Sequence, residues 1–413
     1  MRIRIESMLA RSAVVVILFA AASGAMFARF FRRLLLLPDR SRTRAGADLL
    51  VVGTFYNTGW FESHIRPLAA CGAVRRVTVV CDAPLPPVGK TRYACPPTWL
   101  VWAIGRVVAR CVWVFVTAWR EGSDTLIGYH IMPNALICLL TARCFGAKAV
   151  YQMTGGPIQI IGGGVGSENT LLRRQGRPSA LREGLMFHIV RQFDRVIVRG
   201  RRATEALTRI GAGPRVVAIP GSVDTSRFCP NGDRRDYDLV CVGRLVDVKR
   251  YDRMLEVVAH LVRLRPSIRV AIVGDGPRRV ALRRRAAKLN LDSHVVFLGR
   301  CDDVAGILRR ARAFLMTSEN EGLSIAMMEA MACGLPSIAP DVGDLKELVL
   351  DDETGLIIDP AAPEAAAAAI ARLLDDAPRI GRLSANARRV VVDHADVARV
   401  AARWESAFQS ISS

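Results

Sequence analysis

The sequence predicts a two-domain α/β protein in which each domain contains a parallel β-sheet. Residues 48–53 read DLLVVG and residues 238–243 read DLVCVG, so one pattern of an acid, four apolar residues and a glycine occurs twice. Continuous apolar runs of this kind are typical of strands buried on both faces, as in parallel sheets. The length of 413 residues also favours two domains, because one core stops growing at roughly 250 to 300 residues.

The remaining strands are predicted from short apolar runs that alternate with helix-length amphipathic segments. In the first domain the runs are RVTVV (76–80), TLIGY (125–129), AVYQM (149–153), RVIV (195–198) and RVVAI (215–219). In the second domain they are RVAIVG (269–274), VVFLG (295–299), AFLMT (313–317), PSIA (336–339) and GLIID (355–359). Such alternation predicts right-handed crossovers between parallel strands.

The domain boundaries follow from one linker. Residues 220–235, PGSVDTSRFCPNGDRR, are rich in turn-forming residues and have no helical period. We therefore predict a first domain over 46–219, a second over 236–392, and a C-terminal helix over 393–413 that returns to the first domain.

Residues 1–45 form a separate apolar and basic segment. Residues 12–28 carry no charge, and residues 1–44 contain nine Arg against Glu6 and Asp39. The apolar run is at the short limit for spanning a bilayer, and the Arg residues after it argue against export. We expect an anchor or an in-plane membrane segment with the rest of the chain cytoplasmic. The alternative is a later start of the chain, at Met8 or Met26.

Composition limits the class of protein. The formal net charge is +20, yet only five of the 58 basic residues are Lys, so compositional bias towards Arg competes with selection for an anionic partner. The ten Cys form no C-x-x-C pair and accompany no His cluster, which favours free thiols over zinc or a disulfide framework.

Two cations follow the first strand of the second domain. Arg244 and Lys249 lie in VGRLVDVKR, residues 242–250, where the strand ends. In α/β sheets ligands bind beyond the carboxyl ends of the strands, here towards the cleft between the two domains. A guanidinium and an ammonium at that edge suit a diphosphate and stabilise a departing phosphate. Either residue alone is equally consistent with a solvated loop charge.

Two carboxylates surround a predicted helix start in ENEGLSIAMMEAMACGLP, residues 319–336. Ser324 is placed to cap the helix, whose first amides then form a phosphate site. Glu321 precedes the helix and Glu329 lies inside it. A carboxylate beside a diphosphate is repelled unless it has another partner, so sugar and ribose hydroxyls are the favoured ligands. The alternative is a Glu stabilised by the helix dipole and an exposed Glu in mid-helix.

This stretch resembles the donor-site signature of the retaining GT-B glycosyltransferases of family 4, also called glycosyl transferases group 1. The matching pattern is E-x7-E followed by E-A-M-A-x-G-x-P, with a later T-G in DETGLII. Further matches are IPGSVDTSRF (219–228), VGRLVDVK (242–249), IVGDGP (272–277) and VVFLGR (295–300). The resemblance covers about residues 48–410 and implies two facing Rossmann-like domains.

The resemblance also implies roles for individual residues. Arg244 and Lys249 bind the donor diphosphate, Glu321 contacts the transferred sugar, Glu329 contacts the ribose, and no metal or other cofactor is required. We therefore expect Glu321, Arg244 and Lys249 to carry catalysis, although Glu321 is not assigned as a base. The other donor contacts expected in this domain are Gly274, Gly276, Arg300, Ser318, Asn320, Gly322, Leu323 and Ser324. By position alone, Gly274 and Gly276 are equally consistent with a tight turn.

The first domain matches the family less closely. The segment GTFYNTGWFESH, 53–64, stands where the family has a glycine-rich loop, which makes Gly59 the expected point of close approach and adds Glu62 as a candidate. YHIMPNA, 129–135, resembles the family's H-x-x-P-x-A helix start. The next loop carries Thr154 where the family often has His. Either Thr154 or His130 is expected to supply the missing hydrogen bond to the acceptor.

Two further segments bear on the acceptor. WLVWAIGRVVARCVWVFVTAW, 99–119, holds four of the six Trp and predicts either a helix covering the first sheet or an interfacial membrane helix. A second helix predicted over 171–193 adds Arg173, Arg174, Arg177, Arg182 and Arg191. These segments favour an anionic membrane surface as partner and a polyprenyl-diphosphate-linked glycan as acceptor.

The predicted function is a metal-independent hexosyltransferase of bacterial cell-surface polysaccharide synthesis, at the cytoplasmic face of the inner membrane. It uses a UDP- or GDP-sugar and retains the anomeric configuration. A nucleotide-sugar epimerase of the same fold is one alternative. A basic membrane-binding or nucleic-acid-binding protein without catalysis is the other, although nucleic acid is not an expected partner because no recognisable reading module is present.

Overall fold

The computed structural model describes residues 17–18, 23–24, 46–55, 57–167, 169–232 and 234–412. Two compact units divide at Pro220, and the chain from Val400 onward belongs to the first unit again. The predicted membrane segment, residues 1–45, lies almost entirely outside the described residues. Within the described ranges, no helix is both long enough and apolar enough to cross a bilayer.

The first unit contains a seven-stranded parallel sheet in the order β3-β2-β1-β4-β5-β6-β7. Its strands are β1 Ala47–Val52, β2 Val74–Val80, β3 Thr91–Ala94, β4 Thr125–Tyr129, β5 Lys148–Gln152, β6 Arg195–Val198 and β7 Val216–Ala218. The predicted strands are confirmed. Strand β3, which was not predicted, is an edge strand whose TRYA sequence offers no continuous apolar run.

Helices cover both faces of this sheet. They are α1 Thr58–Ala70, α2 Thr98–Ile104, α3 Arg106–Glu121, α4 Leu136–Phe145, α5 Thr170–Arg173, α6 Ala180–Val190 and α7 Arg201–Arg209. The last helix of the chain, α14 Val397–Ser412, also belongs to this unit and packs Trp404 and Phe408 against its core.

Two helix predictions need correction. The segment 99–119 is two helices rather than one, because Gly105 adopts φ 78° and ends α2 before α3 begins. The segment 171–193 is also divided, into α5 and α6, and Arg182 does not join a cationic surface. Its side chain is buried and hydrogen-bonds Gln175 and the Arg177 carbonyl.

The second unit contains a six-stranded parallel sheet in the order β10-β9-β8-β11-β12-β13. Its strands are β8 Tyr237–Val242, β9 Val270–Val273, β10 Val295–Gly299, β11 Ala311–Leu315, β12 Ser337–Ala339 and β13 Gly355–Ile357. Its helices are α8 Tyr251–Leu264, α9 Arg279–Lys288, α10 Val304–Arg309, α11 Ile325–Ala332, α12 Pro363–Asp375 and α13 Ala377–Ala395.

The loops at the carboxyl edge of this sheet are bonded to one another through their backbones. Gly243 N–H donates to the Val273 carbonyl at 2.9 Å, and Gly274 N–H donates to the Gly299 carbonyl at 2.7 Å. The chains approach so closely that a Cβ on Gly274, whose φ is 136°, would lie 1.9 Å from the Gly243 oxygen. Glycine at this position is therefore required by packing between loops.

We expect Gly274→Ala to lower the free energy of unfolding by about 2 to 4 kcal/mol, because the added methyl displaces the Gly243 carbonyl and the backbone conformation is strained. Denaturant unfolding of the full chain measures the effect. The matched control is Gly381→Ala on α13, where an added Cβ meets nothing within 4 Å. That control should be neutral or stabilising by up to about 1 kcal/mol. Equal unfolding midpoints for the two variants would contradict the packing argument.

Candidate functional site

The centre of the candidate site is an ion pair between Lys249 and Glu321 in the second unit. The Lys249 Nζ lies 2.5 Å from the Glu321 Oε1, and the side chains are 21% and 11% exposed. Lys249 ends a short helical turn after β8, and Glu321 lies on the loop between β11 and α11. The structure therefore brings together two of the three residues predicted to carry catalysis.

Backbone contacts hold these two loops side by side. Strands β8 and β11 are parallel neighbours, so their carboxyl ends meet at one edge of the sheet. Glu319 N–H donates to the Val248 carbonyl at 2.9 Å, and the Thr317 hydroxyl donates to the Arg250 carbonyl at 3.0 Å. The two acceptors flank Lys249, and both donors precede Glu321 on its own segment. The position of Glu321 relative to Lys249 is consequently set by backbone structure.

The predicted helix start is confirmed in the structure. Ser324 is the N-cap of α11, and its hydroxyl accepts a hydrogen bond from Met327 N–H at 3.4 Å. Gly322, Leu323 and Ser324 are buried on the preceding turn. The loop is also packed from the far side, since a Cβ on Gly343 would lie 1.7 Å from the Glu321 carbonyl oxygen. The positive end of the helix dipole thus lies three residues after Glu321.

Ser318 lies deeper at the same edge. Its side chain is buried, and its Oγ has no hydrogen-bond partner among the described residues. It lines a cavity of about 10 Å³ together with Lys249, Tyr251 and Thr317. A cavity of that volume holds one water molecule, which is a suitable partner for the Ser318 hydroxyl.

The other predicted donor residues are dispersed along this edge. Arg244 is exposed on the loop after β8, and Arg300 is exposed directly after β10, the edge strand two positions from β8. Asn320 is half-buried beside Glu321, and Glu329 is half-buried in the second turn of α11. Gly276 resembles Gly274, because a Cβ there would lie 2.5 Å from the Leu245 carbonyl. Packing between loops accounts for both of these glycines.

In the first unit, Gly59 and Glu62 lie in the first turns of α1. Gly59 belongs to the helix that begins at Thr58, so the expected glycine-rich loop is a helix N-terminus capped by Asn57, whose Oδ1 accepts from Trp60 N–H at 2.7 Å. This corrects the prediction of a loop glycine. Glu62 forms an ion pair with Arg66 at 3.0 Å, one turn along the same helix.

His130 follows β4 directly and adopts φ 60°. Its ring stacks against Trp60, with centroids 6.1 Å apart. Burial, together with the nearby positive charge of Arg199, lowers its pKa to about 4, so the imidazole is neutral near pH 7. Its Nε2 is buried and has no hydrogen-bond partner among the described residues.

A hydrogen-bond relay determines which ring nitrogen of His130 carries the proton. The Tyr151 hydroxyl donates to Gln159 Oε1 at 2.9 Å, which turns the Gln159 amide nitrogen towards His130 Nδ1 at 3.0 Å. An amide nitrogen donates and does not accept, so Nδ1 is the acceptor and the proton lies on Nε2. The Nε2–H of His130 is thus a neutral hydrogen-bond donor. Thr154, the other residue predicted to contact the acceptor, is half-buried on the loop after β5.

A second imidazole, His64, lies in the same cluster and was not identified from the sequence. Its Nδ1 donates to the Trp60 carbonyl at 2.7 Å, and its Nε2 accepts from the Arg199 guanidinium at 2.5 Å. Burial, then the Arg199 charge, holds the pKa of His64 well below its ordinary value. The His64 ring also lies 5.3 Å from that of Tyr129, whose buried hydroxyl has no partner in the part of the chain that is described.

No metal site accompanies either group of residues in the described ranges. There, no three or more His, Cys, Asp or Glu side chains are grouped so that they could hold an ion.

Comparison with known proteins locates the strongest similarity in the second unit. Residues 223–390 match the family model of the glycosyl transferases group 1. A mannosyltransferase of Mycolicibacterium smegmatis, GDP-mannose-dependent alpha-(1-6)-phosphatidylinositol monomannoside mannosyltransferase, is 33% identical over 43% of this chain and 51% of its own length. The lipopolysaccharide core biosynthesis mannosyltransferase LpsB of Rhizobium meliloti is 31% identical over 48% of this chain and 60% of its own. The alignments thus span about half of these relatives.

Solved structures extend the similarity to both units. The structure of Anabaena Alr3699/HepE in complex with UDP and glucose has a TM-score of 0.70 at 17% identity, over 88% of this chain and 99% of that one. Sucrose-phosphate synthase from Thermosynechococcus elongatus has a TM-score of 0.68 at 20% identity, over 88% and 98%. At these identities the likeness shows the fold, and it confirms two Rossmann-like units. The family match supports the predicted glycosyltransferase.

We expect His130 to make the free energy of unfolding depend on pH. Its pKa is lower in the folded chain than its ordinary value of 6.5, so the unfolded chain binds the proton more tightly. The free energy of unfolding should therefore fall as pH drops from about 6.5 to about 4, by roughly 3 kcal/mol for this residue. Denaturant unfolding at several pH values should show a smaller fall for His130→Gln. The control His188→Gln removes an exposed imidazole of the same unit and should leave the pH dependence unchanged.

A substitution in the relay tests the proton position directly. In Gln159→Glu a carboxylate faces His130 Nδ1, so we expect the pKa of His130 to rise and Nδ1 to become protonated. The ¹⁵N chemical shifts of the His130 ring report both changes. Gln409→Glu, which adds the same charge at an exposed position of α14, is the matched control. An unchanged His130 spectrum in Gln159→Glu would refute the relay.

Proposed function

We propose that the protein is a retaining glycosyltransferase of family 4 that moves a hexose from a UDP- or GDP-sugar to a glycan acceptor. The observation that carries the proposal is the Lys249–Glu321 pair at the carboxyl edge of the second sheet, inside the region that matches the family model. Relatives named as mannosyltransferases, one of them GDP-mannose-dependent, support a sugar nucleotide as donor.

The second unit is proposed to bind the donor diphosphate. Lys249 supplies a point charge and Arg244 a planar fork from the same loop, and the two together offset the charge that develops on the departing phosphate. The N-terminal turn of α11 adds backbone N–H groups and the positive end of its dipole. This arrangement requires no metal ion.

The carboxylates are proposed to bind hydroxyl groups. Glu321 is anchored by Lys249, whose ammonium reduces the repulsion between the carboxylate and the diphosphate. The carboxylate retains lone pairs that accept hydrogen bonds from hydroxyls of the transferred sugar. Glu329, one and a half turns into α11, is proposed to accept from the ribose hydroxyls.

The reaction requires no enzyme nucleophile. The acceptor hydroxyl oxygen forms a bond to the anomeric carbon on the face from which the diphosphate departs. The bond from that carbon to the phosphate oxygen breaks, and the departing oxygen takes the acceptor proton. The configuration is retained because both events occur on one face. The cations lower the barrier by stabilising the diphosphate as it leaves.

The acceptor is proposed to be a polyprenyl-diphosphate-linked glycan at the cytoplasmic face of the bacterial inner membrane. The net charge of +20 and the Arg-rich residues 1–44 favour an anionic surface. In the first unit, the Nε2–H of His130, which has no hydrogen-bond partner among the described residues, is proposed to donate to an acceptor oxygen. Cell-surface polysaccharide synthesis is the process that such an acceptor serves.

Release of nucleoside diphosphate tests the proposal. The purified protein is incubated in EDTA with UDP-glucose or GDP-mannose and a bacterial lipid extract. We expect Lys249→Ala and Glu321→Ala each to lower the rate by about 100-fold, because each removes a charged group that acts on the departing phosphate or the sugar. Lys288→Ala, which removes an exposed lysine at the end of α9, is the matched control.

Two results would overturn the assignment. Full activity in both Lys249→Ala and Glu321→Ala would show that the pair is not part of the site. A product of inverted configuration, measured by the anomeric proton coupling in NMR, would exclude the retaining reaction. Unfolding midpoints of each variant separate loss of chemistry from loss of fold.

A further inference from the structure

The first unit exposes a continuous set of large apolar side chains on α2 and α3. Trp102 is 93% exposed, Trp99 68% and Trp119 63%. We call this surface the apolar face and define it by Trp99, Trp102, Val108, Val112, Phe115 and Trp119, each of which is more than 40% exposed. Exposed apolar clusters of this size are rare on soluble proteins and indicate a binding surface.

The exposed apolar side chains of α3 all lie on one side of the helix. Val108, Val112, Phe115 and Trp119 recur at spacings of four, three and four residues, so they form one stripe along the helix. The opposite side of α3 is buried through Arg110, Val114 and Thr117. Helix α3 is therefore apolar towards solvent, and part of its polar surface is inside.

Helix α2 reinforces the argument, because none of its seven residues is buried. Its N-cap is Pro97, which makes no side-chain capping bond, and Gly105 ends it. A helix this short is marginal in water without packing. An apolar environment would therefore stabilise this helix, whose sequence is TWLVWAI.

The charges around the apolar face are cationic. Arg106 begins α3, and Arg120 lies next to Trp119 near its end. The single acid of residues 98–121 is Glu121, which accepts from the Thr78 hydroxyl at 2.5 Å and also pairs with Arg76. Asp82, on the loop after β2, lies 3.9 Å from Arg106 and 3.8 Å from Arg110. Arg120 and part of the Arg106 charge thus remain available to an external anion.

We propose that the apolar face docks onto a lipid bilayer that contains anionic headgroups. Tryptophan is favoured at the headgroup level of a membrane, and arginines flanking an apolar stripe reach the phosphates. If a second copy of this chain covered the apolar face, Arg106 and Arg120 of one copy would face the same arginines of the other, and like charges repel. Charge complementarity therefore favours an anionic membrane over a second copy as the partner. This inference concerns a surface separate from the donor site and does not require the proposed transfer reaction.

Tryptophan fluorescence tests the proposal in the full chain. Vesicles of equal parts phosphatidylcholine and phosphatidylglycerol, prepared with brominated acyl chains, quench tryptophans that enter the bilayer. Residues 1–45 contain no Trp, so quenching reports on the folded units whatever that segment does. We expect strong quenching in the wild type and its loss when Trp99, Trp102 and Trp119 are replaced by Phe. Vesicle sedimentation without quenching would place membrane contact elsewhere and overturn the proposal.

A double substitution that places charges on the apolar face gives a second test, measured by vesicle partitioning and by quenching. We expect Val108→Glu combined with Val112→Glu to lower vesicle partitioning at least about 10-fold and to reduce quenching. Leu264→Glu and Val280→Glu alter exposed apolar residues of the second unit and should leave both unchanged. The protein should bind vesicles of pure phosphatidylcholine more weakly than vesicles that contain phosphatidylglycerol.

The remaining outcomes also decide the question. A dimer that forms without lipid, and that Val108→Glu with Val112→Glu dissociates, would show that a second copy covers the apolar face, and the proposal would be wrong. Loss of transfer with intact quenching would count against the proposed function and leave this surface unaffected.

Discussion

Parallel pairing of β8 with β11 is the constraint on which the candidate site depends. These strands are neighbours in the sheet although 72 residues separate Lys249 from Glu321. Their carboxyl ends reach one edge together, and the bonds from Glu319 to Val248 and from Thr317 to Arg250 lock the two loops. The Lys249–Glu321 pair follows from that arrangement. Loss of the pairing would separate the ammonium from the carboxylate and expose the start of α11.

The two units manage polar groups at their strand ends by different means. The second unit has a Lys–Glu ion pair at a partly exposed position, where solvent limits the cost of desolvation. The first unit buries two imidazoles, and burial keeps both neutral in the presence of Arg199. Their hydrogen bonds give them opposite tautomers, since the proton lies on Nδ1 of His64, which donates, and on Nε2 of His130, whose Nδ1 accepts. The acceptor proposed to bind at His130 would meet a neutral donor, which is suited to hydroxyl or ether oxygens.

The positions of the apolar and basic side chains bear on the proposed interaction with a membrane. A net charge of +20 by itself does not distinguish compositional bias from binding. The structure adds that Arg182 is buried and bonded within the first unit, whereas α3 directs Trp119 and Val112 into solvent beside Arg120. The location of individual arginines, rather than their number, therefore supports the proposed membrane interaction. The proposed lipid-linked acceptor would then lie at the same membrane surface.

The sequence by itself determined the two parallel sheets and the cap at Ser324, because apolar runs and capping residues act over a few positions. It did not reveal strand β3, whose stability comes from an edge pairing. Nor did it predict the bond between His64 and Arg199, 135 residues apart, or the part of Gln159 in orienting His130. It did not show that Gly274 packs against the backbone of a neighbouring loop. Only the tertiary structure decided these points, because contacts between distant segments have no period in the sequence and arise when the sheet aligns its strand ends.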